Sequence, residues 1–357
     1  MAQASRIPLI LGAGMWGHPG TTSRIQDTNT AQKLVDALLK YDHYVVDTGR
    51  IYAEGTSEKV IGSLDLRGRA RVDTKIFPVQ PGDHGLLRLK EAMKVSIDAL
   101  GPHKIRVFYL HAPDRHTPFE ETLEATNELY NDGCLFARLI SIPHAVHSPS
   151  LYSEELGLSN YASWEVAEIV GICERRGFKK PTVYQGIYNL LDRTSEGELF
   201  PCLRKFGIRF AAYSTLAGGY LTGKHLDPMQ GSVAATEHKY SHFNPELSLA
   251  SFFTTRYPPM AETVKRLQDV ARKHDLTLTE VAYRWLQWHS RMIPSDAGVI
   301  IGASTVEQFE AAVVDSSKGP LPQEVVDACQ QTWLDVRGIA KNYWLEDSVV
   351  KTIETTN

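Results

Sequence analysis

Four side chains near the ends of apolar runs could do acid–base chemistry if a fold brought them together. "VVDTGRIYAEGTSE" (45–58) ends an apolar run on Asp47 and places Tyr52 five residues later. "RVDTKIF" (71–77) carries Lys75, and "KIRVFYLH" (104–111) ends on His111. A free phenol, with a pKa of about 10, is a poor proton donor at neutral pH. A lysine ammonium about 4 Å away, at an effective dielectric near 20, is worth up to about 4 kcal/mol, or about 3 pKa units. That would bring the phenol towards the range of a general acid. An aspartate beside the lysine would keep it charged and oriented, and a histidine would hydrogen-bond a carbonyl. The set suits protonation of a carbonyl oxygen while something else attacks its carbon. No Ser or Cys nucleophile with a base is evident, and no metal triad, so no metal is expected.

Elements of one kind must position such residues. "PLILG" (8–12), "HYVVD" (43–47), "RVDTKIF", "KIRVFYLH", "ELGLS" (155–159), "PTVYQG" (181–186), "IRFAAYS" (208–214) and "AGVIIGAS" (297–304) read as strands. Segments with apolar residues at helical spacing alternate with them at 30–41, 86–100, 118–131, 163–176 and 261–274. Strand–helix alternation of this length means a parallel sheet. Eight units, with no G-x-G-x-x-G in the first turn, predict an α/β fold of the (β/α)8 TIM-barrel class rather than a doubly wound sheet. One domain over 1–357 is expected, with an extra helix near 325–336. Barrel chemistry sits at the C-terminal strand ends. Those ends carry Asp47, Lys75, His111, Ser159 with Asn160, Gln185 and Tyr213. Any one of them reads more simply as a strand end meeting water; six together argue for a site.

Bulk properties narrow the function. The 357 residues are 43% hydrophobic with a net charge of −4, so nothing favours nucleic acid or an anionic membrane as a partner. "RGRAR" (67–71) reads as a solvated turn. Cys134, Cys173, Cys202 and Cys329 have no metal or redox spacing, which suggests free thiols in a reducing compartment. No run approaches the roughly 18 apolar residues of a membrane span. A soluble, cytoplasmic protein is expected. "GGYLTGKH" (218–225) matches the start of a P-loop, but His225 stands where Ser or Thr must hold magnesium.

With these residues in view, the sequence resembles an aldo-keto reductase, most closely the aflatoxin-aldehyde reductase branch. "DTGRIYAEGTSE" is similar to the family's D-T-A-x-x-Y-x-x-G-x-S-E. "VFYLHAPD" (107–114), "GLSNYASWEVAEI" (157–169), "PTVYQGIYN" (181–189), "AYSTLAGGYLTGK" (212–224) and "GVIIGASTVEQFE" (298–310) complete the set in family order. The resemblance implies Tyr52 as general acid, Lys75 and Asp47 as its tuning pair, and His111 as the orienting residue. It implies NADPH/NADP+ as cofactor. Ser159, Asn160 and Gln185 would take the nicotinamide carboxamide and Tyr213 would stack on the ring. The loop through Ser214, Leu216, Gly218 and Lys224 would wrap the pyrophosphate. Gly302, Ser304 and Gln308 would hold the adenosine 2′-phosphate at a helix N-terminus. A small-molecule carbonyl substrate would meet Met15, Trp16, His111 and Tyr343, in a monomer or homodimer. Its source would be secondary metabolism or xenobiotics.

The sequence departs from the family in places. About twenty residues, "CLFARLISIPHAVHSPSLYSE" (134–154), separate the fourth helix from the fifth strand. They read as a surface loop or as translated intron, on the face opposite the chemistry, and "HAVH" within them reads as plain loop rather than a metal site. Gly49 stands where the family has Ala or Ser, which would loosen the turn to Tyr52. Leu345 replaces an arginine that relatives are thought to use for acidic aldehydes, which argues against such substrates. Ala312 replaces an asparagine near the adenine. The aromatics of 238–257 either line a wide mouth or pack on the barrel. Two rival readings are a cofactor-binding partner protein, like potassium-channel β subunits, and an enzyme made sluggish by the insertion.

Overall fold

The computed structural model describes residues 5–131, 154–226, 242–244 and 250–346. Eight strands close into a parallel barrel in chain order. They are β1 (Leu9–Gly12), β2 (Val45–Asp47), β3 (Arg71–Ile76), β4 (Ile105–Leu110), β5 (Glu155–Ser159), β6 (Pro181–Ile187), β7 (Arg209–Tyr213) and β8 (Gly298–Gly302). The barrel closes where Ile10 lies beside Ile300 and Gly12 beside Gly302. Each strand falls within or beside an apolar run of the sequence, as expected of strands covered on both faces. Two irregularities break the pairing, between Val72 and Asp73 against β4 and between Leu156 and Gly157 against β6.

The helices lie outside: α1 (Thr28–Lys40), α2 (Ser57–Gly62), α3 (Leu86–Leu100), α4 (Phe119–Asn131), α5 (Ser163–Arg176), α6 (Leu199–Phe206), α7 (Ala250–Thr254), α8 (Ala261–Lys273), α9 (Leu278–Trp288), α10 (Val306–Ser317) and α11 (Gln323–Val336). The main core fills the layer between strands and helices, with Leu34, Leu38, Leu89, Leu123, Val166, Ile169, Leu203 and Leu286 among its members. A separate cluster of Ile10, Val107, Tyr109, Val183, Ala211, Ala297 and Ile300 forms around alternating strand positions. Polar side chains set several helix starts: Asp27 accepts from Thr30 N at 2.7 Å, Thr277 from Glu280 N at 3.1 Å and Thr305 from Gln308 N at 3.3 Å.

Among the helices with no counterpart in the periodicity reading are α6 and α9. α6 is only eight residues long and carries Pro201 in its first turn, where proline is tolerated. α9 buries seven of its eleven residues, Leu278, Val281, Ala282, Tyr283, Trp285, Leu286 and Gln287, which blurs any one-sided stripe. Cys134 and nearly all of 134–154 lie outside the described residues. Just before β5, Glu154 N–H donates to Arg106 O at 3.0 Å and its carbonyl accepts Lys179 Nζ at 2.6 Å. Among the described residues, no helix is long and apolar enough to cross a membrane.

Candidate active site

The four acid–base residues meet at the C-terminal end of the barrel. β2 ends on Asp47 and β3 presents Lys75, both buried. Lys75 Nζ donates to Asp47 Oδ2 at 2.6 Å and to Thr48 O at 2.6 Å. Gln185, from β6, donates to the other Asp47 oxygen at 2.8 Å. Tyr52 rides on the turn between β2 and α2. Its ring centre is 5.0 Å from Lys75 Nζ and 5.6 Å from the His111 ring, edge to face. His111 also meets Phe77 edge to face.

The turn carrying Tyr52 is tied on both sides. Arg50 N donates to Lys75 O at 2.8 Å, and the Arg50 guanidinium grips Glu58 and Gly55 O. Glu58 also accepts from Thr74 Oγ1 at 2.6 Å. Ala53, Glu54 and Gly55 all take positive φ, and Gly55 O turns inward to the guanidinium. Gly49 is buried against the Tyr52 ring; a Cβ there would stand 3.3 Å from it.

One electrostatic expectation is corrected. Burial, then the Asp47 charge, pushes the Tyr52 phenol well above its ordinary pKa. The lysine does not bring it down in this state, because its ammonium is already bound by Asp47 and Thr48 O. Burial, and next Lys75, holds the His111 imidazole well below its ordinary value, so it is neutral. The site at neutral pH therefore holds a protonated phenol and an uncharged imidazole around a bound ion pair.

The nicotinamide-motif residues lie on the adjoining rim. Asn160 Nδ2 donates to His111 O at 2.8 Å and to Ser159 Oγ at 3.0 Å. Tyr213 OH donates to Asn160 Oδ1 at 2.7 Å. Ser159, Asn160 and Gln185 are thus together, but turned towards protein partners, including Asp47. Further round, Asn160, Ser214 and Ala217 adopt left-handed backbone, as do Gly218, Gly219 and Gly223. Such strained residues at strand ends cluster at ligand clamps. A Cβ on Gly219 or on Gly302 would meet open space. Ser304 N is bonded by Gln308 Oε1 at 2.9 Å just before the N-terminus of α10. Leu216 is half-buried and Lys224 is exposed. The open glycine-lined cradle followed by a helix start fits an elongated dinucleotide carrying phosphates.

The expected substrate residues separate. Met15 is half-buried, whereas Trp16 is fully buried in the main core and its Nε1 has no partner among the described residues. Trp16 therefore offers no open surface. Tyr343 is also buried; its hydroxyl donates to Glu198 at 2.6 Å and accepts from Ser163 N at 2.9 Å. The segment around it crosses to the site, where Leu345 N donates to Asn160 O at 3.1 Å. Arg115, paired with Glu165, donates to Leu345 O, and Arg256, paired with Asp192, donates to Asn342 O. Sequence reasoning missed Arg115 and Arg256 because their partners are 50 and 64 positions away. A cleft of about 500 Å³ runs between this segment and α7, with Phe252, Trp344 and Leu345 on its walls. Phe252 lines that cleft and also packs against the core that contains Phe253. Ala312 is buried in the main core.

Comparison with known proteins gives the family of the chain. The aldo/keto reductase family model matches residues 8–139 and 154–334. An aldo-keto reductase of Pseudocercospora fijiensis is 37% identical over 85% of this chain and 97% of its own. Human aldo-keto reductase family 7 member A3 is 35% identical over 95% of this chain and 98% of its own. Human aflatoxin B1 aldehyde reductase member 2 is 35% identical over 95% of this chain and 90% of its own. The chain belongs to the aldo/keto reductase family, on the branch of the aflatoxin-aldehyde reductases. It is an oxidoreductase of small-molecule carbonyl compounds, in a family that works with a nicotinamide dinucleotide.

Proposed function

We propose that the chain reduces aldehydes and ketones to alcohols with NADPH, using Tyr52 as proton donor. The observation that carries this is the Asp47–Lys75 pair under the Tyr52 ring, with His111 at its edge. Bound NADPH supplies a hydride to the carbonyl carbon, and the oxygen takes a proton from the Tyr52 hydroxyl. His111, neutral, hydrogen-bonds that oxygen and orients it. Ser159, Asn160 and Gln185 hold the carboxamide by exchanging present partners, and Tyr213 backs the ring. The rim from Ser214 to Lys224 holds the pyrophosphate, and Gly302, Ser304 and Gln308 the 2′-phosphate end. Positive φ at Ser214, Gly218 and Gly219 supports that assignment, since such backbone clusters at ligand clamps.

Xenobiotic or secondary-metabolite carbonyls are the substrate class we favour, in line with the name of the aflatoxin B1 aldehyde reductase relative. Acidic aldehydes suit the site poorly. Leu345 brings no charge, and the arginines bonded to its segment are paired with Glu165 and Asp192.

The test is oxidation of NADPH by the purified protein, with aromatic aldehydes, diketones and succinic semialdehyde. Tyr52→Phe should lower kcat by about 10²–10⁴-fold, the usual worth of a positioned acid, with NADPH still bound. Turnover that survives Tyr52→Phe removes the proposed role. Bound NADPH with no turnover of any carbonyl by the parent protein would favour a cofactor-binding partner protein.

A further inference from the structure

Barrel interiors are ordinarily filled by branched apolar side chains. This one holds charge beneath its active site. Asp73 lies two residues before Lys75 on β3, on the same face of the strand. It is fully buried, and Arg106 from β4 grips it with two bonds, Nε to Oδ1 at 2.9 Å and Nη2 to Oδ2 at 2.5 Å. The irregular pairing of β3 with β4 occurs at this point, between Val72 and Asp73. Towards the N-terminal end of the strands, Glu155 from β5 accepts from Arg209 of β7 and Thr182 of β6. Charges thus alternate down the inside, from Asp47 and Lys75 through Asp73 and Arg106 to Glu155 and Arg209.

Tyr109 sits in this column, with its ring centre 5.9 Å from Lys75 Nζ. Lys75 therefore lies between two phenol rings, Tyr52 and Tyr109. Gly157 makes the space, since a Cβ there would stand 2.2 Å from the Tyr109 ring. The buried Tyr109 hydroxyl has no hydrogen-bond partner among the described residues. It does not shield Lys75 from the pair below by a bond of its own.

A buried ion pair is seldom a gain in stability over well-packed apolar residues. Its place under the reacting lysine gives it another use. We propose that the Asp73–Arg106 pair is a positioning and charge-setting element beneath the Asp47–Lys75 pair, fixing the net field that the Tyr52 phenol meets. The groups facing Asp73 are Asp47 from β2, Lys75 from its own strand, and Arg106 and Tyr109 from β4; Glu155 acts on Arg106 and Tyr109 from β5. Burial pushes the Asp73 carboxyl up to about 6 against the pull of Arg106. Asp73 is thus ionised through the alkaline range, where its charge opposes that of Lys75.

The inference rests on Tyr52 as the proton-transfer group, and the test separates the two. In the oxidation direction, ionised Tyr52 takes the alcohol proton while hydride leaves the carbon for NADP+. Below the Tyr52 pKa the rate follows the ionised fraction, so any change in that pKa displaces the whole pH profile. A unit charge on the order of 10 Å away, at an effective dielectric near 20, corresponds to roughly one pH unit. Asp73→Asn should therefore move the profile of alcohol oxidation by about one unit to lower pH, roughly tenfold faster at fixed pH. Arg106→Gln should move it the opposite way in alkaline buffer. The double variant, which removes both charges, should lie near the parent.

Single variants that leave the profile in place, or displace it in the same direction, overturn the proposal while Tyr52→Phe still abolishes turnover. A Tyr52→Phe protein that keeps the parent profile instead overturns the underlying role of Tyr52. Should Asp73→Asn fail to fold, a displaced profile in the double variant overturns the proposal equally.

Discussion

Tyr52 shows how one residue's chemistry depends on where its neighbour's charge goes. Distance alone suggests that a lysine near a phenol lowers the phenol's pKa. Here Lys75 is bound by Asp47 and by Thr48 O, and burial dominates, so Tyr52 holds its proton firmly. A firmly held proton suits the resting state of a reductase, whose acid must be loaded before the carbonyl arrives. The same residue-scale reasoning applies to Gly49. Its backbone is not left-handed, and a Cβ would lie 3.3–3.5 Å from the Tyr52 ring. Gly49→Ala should therefore stabilise the protein by about 0.4–1 kcal/mol, by restricting the unfolded chain, provided the ring gives by a few tenths of an ångström. Thermal unfolding measures it. A lower Tm would mean that the ring cannot give, and that the turn needs a glycine here.

At the scale of elements, the strands were the legible part and their partners were not. Parallel strands covered on both faces read as apolar runs, so a single polar residue at the end of each stood out, as at Asp47, His111 and Ser159. The left-handed backbone at Asn160 and Ser214 had no such signal, because neither residue type requires it. Asp73 has no local signal of its partner; Arg106 reaches it where the β3–β4 pairing is irregular. The burial of Trp16 likewise depends on contacts that no local pattern encodes.

The segment after α11 was read by analogy alone, and its bonds give it a definite task. Tyr343 ties it to Glu198 and to Ser163 N at the start of α5, while Leu345 N reaches Asn160 O beside His111. Tyr343→Phe leaves the Ser163 N–H and the Glu198 carboxylate without that partner, at a cost of about 1–3 kcal/mol. The loss should appear as a lower Tm and a raised KM for the aldehyde, with kcat within about threefold, since no reacting atom is touched. A large fall in kcat at unchanged KM would instead place the Tyr343 hydroxyl in the chemical step.

At the scale of the whole molecule, the two ends of the barrel are separate workplaces. All the acid–base residues and the glycine-lined rim lie at the C-terminal ends of the strands. The family model's match stops at 139 and restarts at 154, between α4 and β5, at the other end. What matters for the site is whether β5 keeps its register, because its end supplies Ser159 and leads into Asn160. That register has supports independent of the intervening residues. Val107, Tyr109 and Leu110 of β4 pair with Glu155, Gly157 and Leu158, and β6 pairs on the far side through Ser159 and Gln185. At its entrance Glu154 is held by Arg106 O, by Lys179 Nζ and by an ion pair with Arg71 at 2.8 Å. Loop closure depends only logarithmically on length, so shortening a long connection alters stability by about a kcal/mol or less. Replacing residues 134–153 by a short Gly/Ser linker should therefore leave kcat and the KM for NADPH within about twofold of the parent, with Tm little changed. Loss of NADPH binding in a folded deletion protein would show that these residues help to set the β5 register that presents Ser159 and Asn160.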